Sequence, residues 1–247
     1  MVLDTALDDT TTPTERILRE AATAEEAFHP FTAWCAASTD CPLHGKDSAT
    51  ECDALVARAD RTPIPTAGCI RALTGEDIRA ATQDYLTLSG VTLPALAQAV
   101  VKAQAGDASD FTCEPADTLD PVQVQVPPAW TPRPVTTFDQ LARLRDDLAR
   151  ISPHLGGAVR SWTALTGCLG WPVPAHAVAA GSSIHGAPPA LVLQSTHQAL
   201  APHSAGFAMA AQLPGSVVLS REGDGHSAHG ADNRRAANTD SRVALRR

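Results

Sequence analysis

The chain has 247 residues, with 27 acidic and 19 basic side chains and a formal net charge of −8. This length suits one large or two small domains. The acidic balance argues against a nucleic-acid partner, which would favour a basic surface. No apolar run reaches the 18 residues of a transmembrane helix, so we expect no membrane partner. The first residues lack the basic and apolar regions of a signal peptide, and the sequence leaves the localisation unknown.

The first half of the chain is predicted to be mainly helical. The apolar run MVLDTAL predicts a first core strand within residues 1–12, and Thr12 or Thr14 then caps a helix with Pro13 in its first turn. Apolar spacing predicts helices over 13–37, 48–60, 74–86, 92–105, 138–151 and 157–168. Six prolines make 114–137 an extended connection. The helical region therefore covers residues 13–174.

The last third of the chain predicts a parallel sheet. Ala190–Leu193 and Ser216–Leu219 are continuous apolar runs, typical of strands buried on both faces. A helix over 204–213 joins them, which implies a parallel pair with a right-handed crossover. Residues 175–230 are thus a core segment of an α/β fold, and the arginine-rich residues 231–247 are predicted to be disordered.

Five short sequence motifs occur in a specific order along the chain. They are MVLD at the start, FTAWC with Cys41-Pro42-Leu43, CLGWP at 168–172, the stretch 191–202, and Gly223-Asp224-Gly225-His226. In this order they resemble the C-terminal part of α/β-hydrolases similar to the secreted tripeptidyl aminopeptidases of actinobacteria, a serine peptidase family. The resemblance implies a partial α/β-hydrolase fold: the last strands of a parallel sheet with a large helical cap insertion, 13–174.

The resemblance also implies a serine–acid–histidine triad, in that chain order. His226 falls at the position of the general base, although a histidine on an exposed loop would fit the same pattern. Gln198 occupies the acid position, and Asp224 is an alternative acid or an ordinary turn residue. No G-x-S-x-G motif occurs. The most similar segments, around Ser183 and Ser227, lack the closing glycine.

We therefore expect a fragment of a hydrolase that is inactive alone, because the nucleophile is absent and the acid position holds glutamine. If it is completed by an N-terminal hydrolase half, its substrates are peptides or small esters and amides. The alternative is a non-catalytic binding or assembly module, or one subunit of a split enzyme. Intact relatives are often secreted or located in the cell envelope.

The cysteines and histidines leave further alternatives. By resemblance, Cys113 and Cys168 tie the ends of the cap and Cys35 and Cys41 close a small loop, whereas all four are reduced thiols if the chain stays in the cytosol. His226 and His229 are three residues apart with acidic residues nearby, but no recognised metal motif is present. We expect neither a metal nor a cofactor.

Overall fold

A computed structural model describes residues 1–8, 10–68, 71–88, 92–111, 135–157, 162, 165–166, 186–226 and 243–246. Its elements, in chain order, are β1 (Val2–Asp4), α1 (Pro13–Ala37), α2 (Ser48–Arg61), α3 (Gly75–Leu88), α4 (Leu93–Gln104), α5 (Phe138–Ile151), β2 (Leu191–His197), α6 (His203–Gln212), β3 (Val217–Asp224) and β4 (Val243–Arg246). Among the described helices, none combines the length and apolar content needed to cross a bilayer.

The strands form one sheet in the order β1-β2-β3-β4. β1, β2 and β3 are parallel: Leu3 is the register partner of Val192, and Val192 that of Val218. Val192 is fully buried, as its continuous apolar run predicts. α6 forms the crossover from β2 to β3 and packs on both strands. The predicted α/β class with a parallel sheet is therefore confirmed.

The far edge of the sheet differs from the sequence prediction. β4 pairs antiparallel with β3, with Leu245 opposite Leu219 and Val243 opposite Arg221. We expected residues 231–247 to be disordered, but Val243–Arg246 form the strand β4. The physical reason is pairing: an isolated four-residue strand has no stability of its own, whereas the edge of β3 supplies a ladder of backbone hydrogen bonds.

α1 shows how the sequence sets a helix boundary. Thr12 accepts a hydrogen bond from the backbone of Glu15, whose carboxylate accepts one from the Thr12 backbone in return, and Pro13 occupies the first turn. These contacts select Thr12 rather than Thr14 as the cap. The apolar stripe Ile17, Ala21, Ala24, Phe28, Phe31 and Cys35 recurs every three or four residues and is buried. The other buried side chains of α1 flank it; they are Glu20, Thr23, Glu25 and Ala27.

Helices α1 to α5 form a helical layer with its own hydrophobic core. This core contains Phe28, Phe31, Leu96 and Leu148, all essentially inaccessible to solvent. A second, smaller cluster lies between the sheet and α6 and includes Val192. Helix bounds agree with the predicted ones within two residues where the structure describes them. Most of the proline-rich connection, most of the predicted helix 157–168 and the CLGWP motif lie outside the described residues.

Two cysteines of the helical layer form a disulfide. Cys35, at the end of α1, is bonded to Cys41, with 5.0 Å between their Cα atoms. Cys52 is a free thiol on α2. Cys113 and Cys168 lie outside the described residues, so the pairing that the family resemblance implies for them stays a prediction.

Candidate active site

Two parallel strands bring Gln198 and His226 together. Gln198 directly follows β2, and His226 comes two residues after the end of β3. Carboxyl ends of neighbouring parallel strands meet at one edge of a sheet, where α/β proteins build their sites. Gly225 continues the ladder by donating to the carbonyl of His197 at 2.9 Å, and its φ of +97° is a conformation that favours glycine. As a result, Oε1 of Gln198 lies 3.1 Å from Nδ1 of His226.

The helical layer holds the same histidine from the other side. The backbone N–H of His226 donates to the carbonyl of Thr87, in the last turn of α3, at 2.6 Å. One turn earlier, Nε2 of Gln83 donates to the carbonyl of Ala199 at 2.8 Å. α3 therefore fixes both the histidine loop and the residue after Gln198.

The Gln198–His226 contact has a definite chemical consequence. When the amide oxygen of Gln198 accepts from Nδ1–H, the basic lone pair of the neutral imidazole is on Nε2, the tautomer that a general base requires. A glutamine amide also offers a donor, so unlike a carboxylate it fits either tautomer. It carries no charge to stabilise the imidazolium. Gln198 is only 1 % exposed, and its Nε2 has no hydrogen-bond partner in the described part of the chain.

Asp224, the alternative acid, contacts a different histidine. Its carboxylate lies 3.7 Å from Nδ1 of His197, and Arg221 donates to its backbone carbonyl. Burial raises the pKa of Asp224, and the nearby His197 and Arg221 only partly offset this. The structure thus places Gln198, not Asp224, at Nδ1 of His226. A catalytic role for Asp224 stays a prediction.

The remaining residues singled out in the sequence lie outside the described residues. They are Ser183, Ser227 and His229. Within the described ranges, no group of three or more His, Cys, Asp or Glu side chains is arranged to hold a metal ion.

A cavity of about 320 Å³ opens beside His226. Its lining comes from the β1–α1 loop, the first turns of α1, the residues after Gln198, and His226; the side chains are Thr5, Leu7, Asp8, Thr11, Arg16, Arg19, Glu20, Leu200, Ala201, Pro202 and His226. Some charged side chains of the lining have hydrogen-bond or ion-pair partners, and one has a donor without a partner in the described ranges. Arg19 pairs with Asp8 at 3.2 Å, and Glu20 accepts from Gln83 at 3.2 Å. Nε of Arg16 is buried and has no hydrogen-bond partner among the described residues.

Sequence reasoning did not identify the charged residues of this cavity. One signal was available for Glu20: it lies in the apolar stripe of α1, between Ile17 and Ala21 at helical spacing. An acid at a core-facing position is an exception that points to a polar partner or a site. No comparable signal exists for Arg16, because its surroundings are made by the β1–α1 loop and the loop after β2.

Comparison with known proteins adds to this geometry. Residues 152–242 match the family described as TAP-like protein, a group of α/β-hydrolases, and the match contains β2, α6 and β3. Over these residues the chain is similar to the TAP-like α/β-hydrolases. Gln198 and His226 both lie inside the matched residues.

Two mycobacterial proteins are similar to the chain over most of its length. Carboxylesterase B of Mycobacterium tuberculosis is 29 % identical over 246 residues, covering 92 % of this chain and 46 % of the relative. The serine protease Hip1 of the same species is 28 % identical over 245 residues, covering 88 % and 45 %. The chain thus spans about half the length of these relatives.

Proposed function

We propose that this chain supplies the histidine and the helical cap of a serine hydrolase that cleaves ester or amide bonds. The observation that carries the proposal is the 3.1 Å contact between Gln198 and His226 beside a cavity. It is supported by the two relatives, which are named a carboxylesterase and a serine protease. The proposed substrates are peptides or small esters and amides.

In this proposal His226 acts as general base. It takes the proton of an attacking serine on Nε2 while Nδ1–H stays donated to Gln198. No G-x-S-x-G motif occurs in the 247 residues, so the serine belongs to a polypeptide segment outside this sequence. Replacing a triad carboxylate by a neutral amide can lower turnover by about 10⁴. The chain by itself is therefore proposed to be inactive.

The proposed partner is an N-terminal hydrolase half that pairs with β1. β1 is the edge strand of the described sheet, and Val2 is 60 % exposed. An exposed apolar edge strand offers unpaired backbone groups to another strand. A second candidate function, a non-catalytic binding or assembly module, is favoured by the neutral amide of Gln198 at the acid position.

The purified chain is first tested alone with a fluorophosphonate probe and a tripeptide nitroanilide. We expect no labelling and no turnover. Labelling or turnover that His226→Ala abolishes, and that His29→Ala leaves intact, would contradict the proposed inactivity. His29 is an exposed position on α1 and serves as the matched control.

A second experiment separates the two candidate functions. The chain is mixed with the part of M. tuberculosis carboxylesterase B that it does not match, and the fluorophosphonate probe is added. A split hydrolase predicts that a serine of the added polypeptide is labelled in the mixture, and less with the His226→Ala chain. Complex formation without labelling supports the binding module instead.

A further inference from the structure

The cavity beside His226 is lined by an arginine with one hydrogen-bond donor that no described residue uses. Nε of Arg16 is inaccessible to solvent and has no partner in the described part of the chain, and Arg16 lines the cavity. Because Nε is closed to the cavity, a ligand there is held by the terminal nitrogens of the guanidinium group, beside a donor that the described residues leave without a partner. The guanidinium group is also the side chain best shaped to hold a planar anion through two parallel hydrogen bonds.

The other charged groups around this cavity already have partners. The carboxylate of Asp8 is paired with Arg19 at 3.2 Å, and Glu20 accepts from Nε2 of Gln83 at 3.2 Å. The Asp8–Arg19 pair therefore neutralises itself. Among the arginines of the lining, Arg16 is the one without a carboxylate partner among the described residues, so its terminal nitrogens can hold an anionic ligand.

We propose that this cavity binds a carboxylate group of the substrate through Arg16. The proposal rests on the proposed function only in taking this cavity as the substrate site. A volume of about 320 Å³ is that of roughly ten water molecules, so a short dicarboxylate fits in it. Because His226 lines the same cavity, a carboxylate held by Arg16 brings the rest of the molecule to the histidine. The substrate class is then esters or amides that carry a carboxylate near the bond to be cleaved.

The test is equilibrium binding of glutarate to the full chain, followed by calorimetry and by NMR signals of the His226 ring. We expect glutarate to bind and to shift the His226 signals, and the neutral glutaramide not to bind. Arg16→Gln should weaken glutarate binding about tenfold or more, because a hydrogen bond to a charged group is lost. Arg143→Gln, at an exposed position on α5, is the matched control and should bind as the parent chain does.

A second variant works in the opposite direction. Asp8→Asn removes the charge that neutralises Arg19, so we expect this variant to bind glutarate severalfold more tightly. Tighter binding cannot be the result of misfolding. Equal binding of glutarate and glutaramide, or no effect of Arg16→Gln, would overturn the proposal. These outcomes do not depend on catalysis: glutarate binding with no probe labelling in the mixture would reject the proposed hydrolase and keep the carboxylate site.

Discussion

Oε1 of Gln198 lies 3.1 Å from Nδ1 of His226, across the carboxyl ends of two neighbouring parallel strands. In a serine hydrolase the residue at this ring nitrogen orients the imidazole and stabilises its charged form. The amide of Gln198 can do the first of these and not the second. A carboxylate at this position usually does both. In this site Gln198 orients the ring but supplies no negative charge.

Gln198→Glu should restore the charge. A carboxylate beside the ring favours the protonated imidazole, so we expect the titration of His226 to move to higher pH by about one unit. The measurement is an NMR pH titration, with the His226 signal assigned from its absence in His226→Ala. The signal of the exposed His29, assigned from its absence in His29→Ala, is the internal control. An unchanged His226 midpoint would show that residue 198 does not contact the ring in solution.

Two buried glutamines should respond differently to replacement by methionine. Oε1 of Gln194 accepts from the backbone of Ala6 at 3.0 Å, and its Nε2 donates to the carbonyl of Pro202 at 3.2 Å. Gln194→Met leaves both backbone groups without a partner and should cost about 3 kcal/mol of unfolding free energy. Gln198→Met loses one hydrogen bond and also removes a buried N–H without a partner, so its cost should be about 1 kcal/mol.

Urea unfolding of both variants measures this difference. Equal losses would contradict the contacts described for Gln194, the residue that ties the β1–α1 loop to the residues before α6.

Alanine substitutions at Gly157 and Gly45 should distinguish the cost of steric crowding from the cost of backbone strain. Both have positive φ, +70° and +80°. A Cβ on Gly157 would lie 2.3 Å from Cβ of the buried Leu148, whereas a Cβ on Gly45 would meet nothing within 4 Å. Gly45→Ala should therefore cost about 1 kcal/mol for strain alone, and Gly157→Ala about 3 kcal/mol because overpacking is added. Similar thermal unfolding of the two variants would contradict the close approach at Leu148.

Asp77 should contribute to stability in a defined pH range. Burial alone would raise its pKa, but hydrogen bonds from Arg71 and Thr74 outweigh this and hold the pKa of Asp77 at about 2. A folded-state pKa below the ordinary value of 3.8 gives stability that is present above about pH 4 and lost as the pH falls towards 2.

Unfolding free energies of the parent chain and Asp77→Asn, measured from pH 6 to pH 2, test this. The difference between them should shrink as the pH falls, whereas Asp40→Asn, at an exposed position, should show no such trend. A constant difference for Asp77→Asn would count against the contribution of its charge.

Cys52 should be nearly inert in the folded chain. Burial, together with the neighbouring carboxylates of Asp53 and Glu51, raises the pKa of its thiol from 9.0 to about 12. The thiolate is the reactive form, so alkylation by iodoacetamide at pH 8 should be about 10³-fold slower than for the unfolded chain. Mass spectrometry of the Cys52 peptide follows the reaction. Rapid labelling under native conditions would contradict the raised pKa of the thiol.

The sequence predicted the parallel strands because long apolar runs mark them. The roles of Gln198 and His226 came instead from the resemblance to a known family and stay predictions, although the structure places the two side chains in contact. Arg16 could not be found in this way, since its unused donor results from how a loop and a helix pack around it. β4 was not predicted for a related reason. Four residues with two large apolar side chains do not indicate a strand by themselves, and they form one only by pairing with the edge of β3. Glu20 was detectable, as an acid inside an apolar stripe.

The hydrogen bond from the backbone of His226 to Thr87 joins the helical layer to the sheet at the candidate base itself. A cap that swung away as a rigid lid would remove this bond and the contact of Gln83 with Ala199. Opening the cap would thus displace the histidine loop. In the proposed site, ligands would therefore enter beside the β1–α1 loop while the helices stay in place, and the proposed partner strand of β1 would border that entrance.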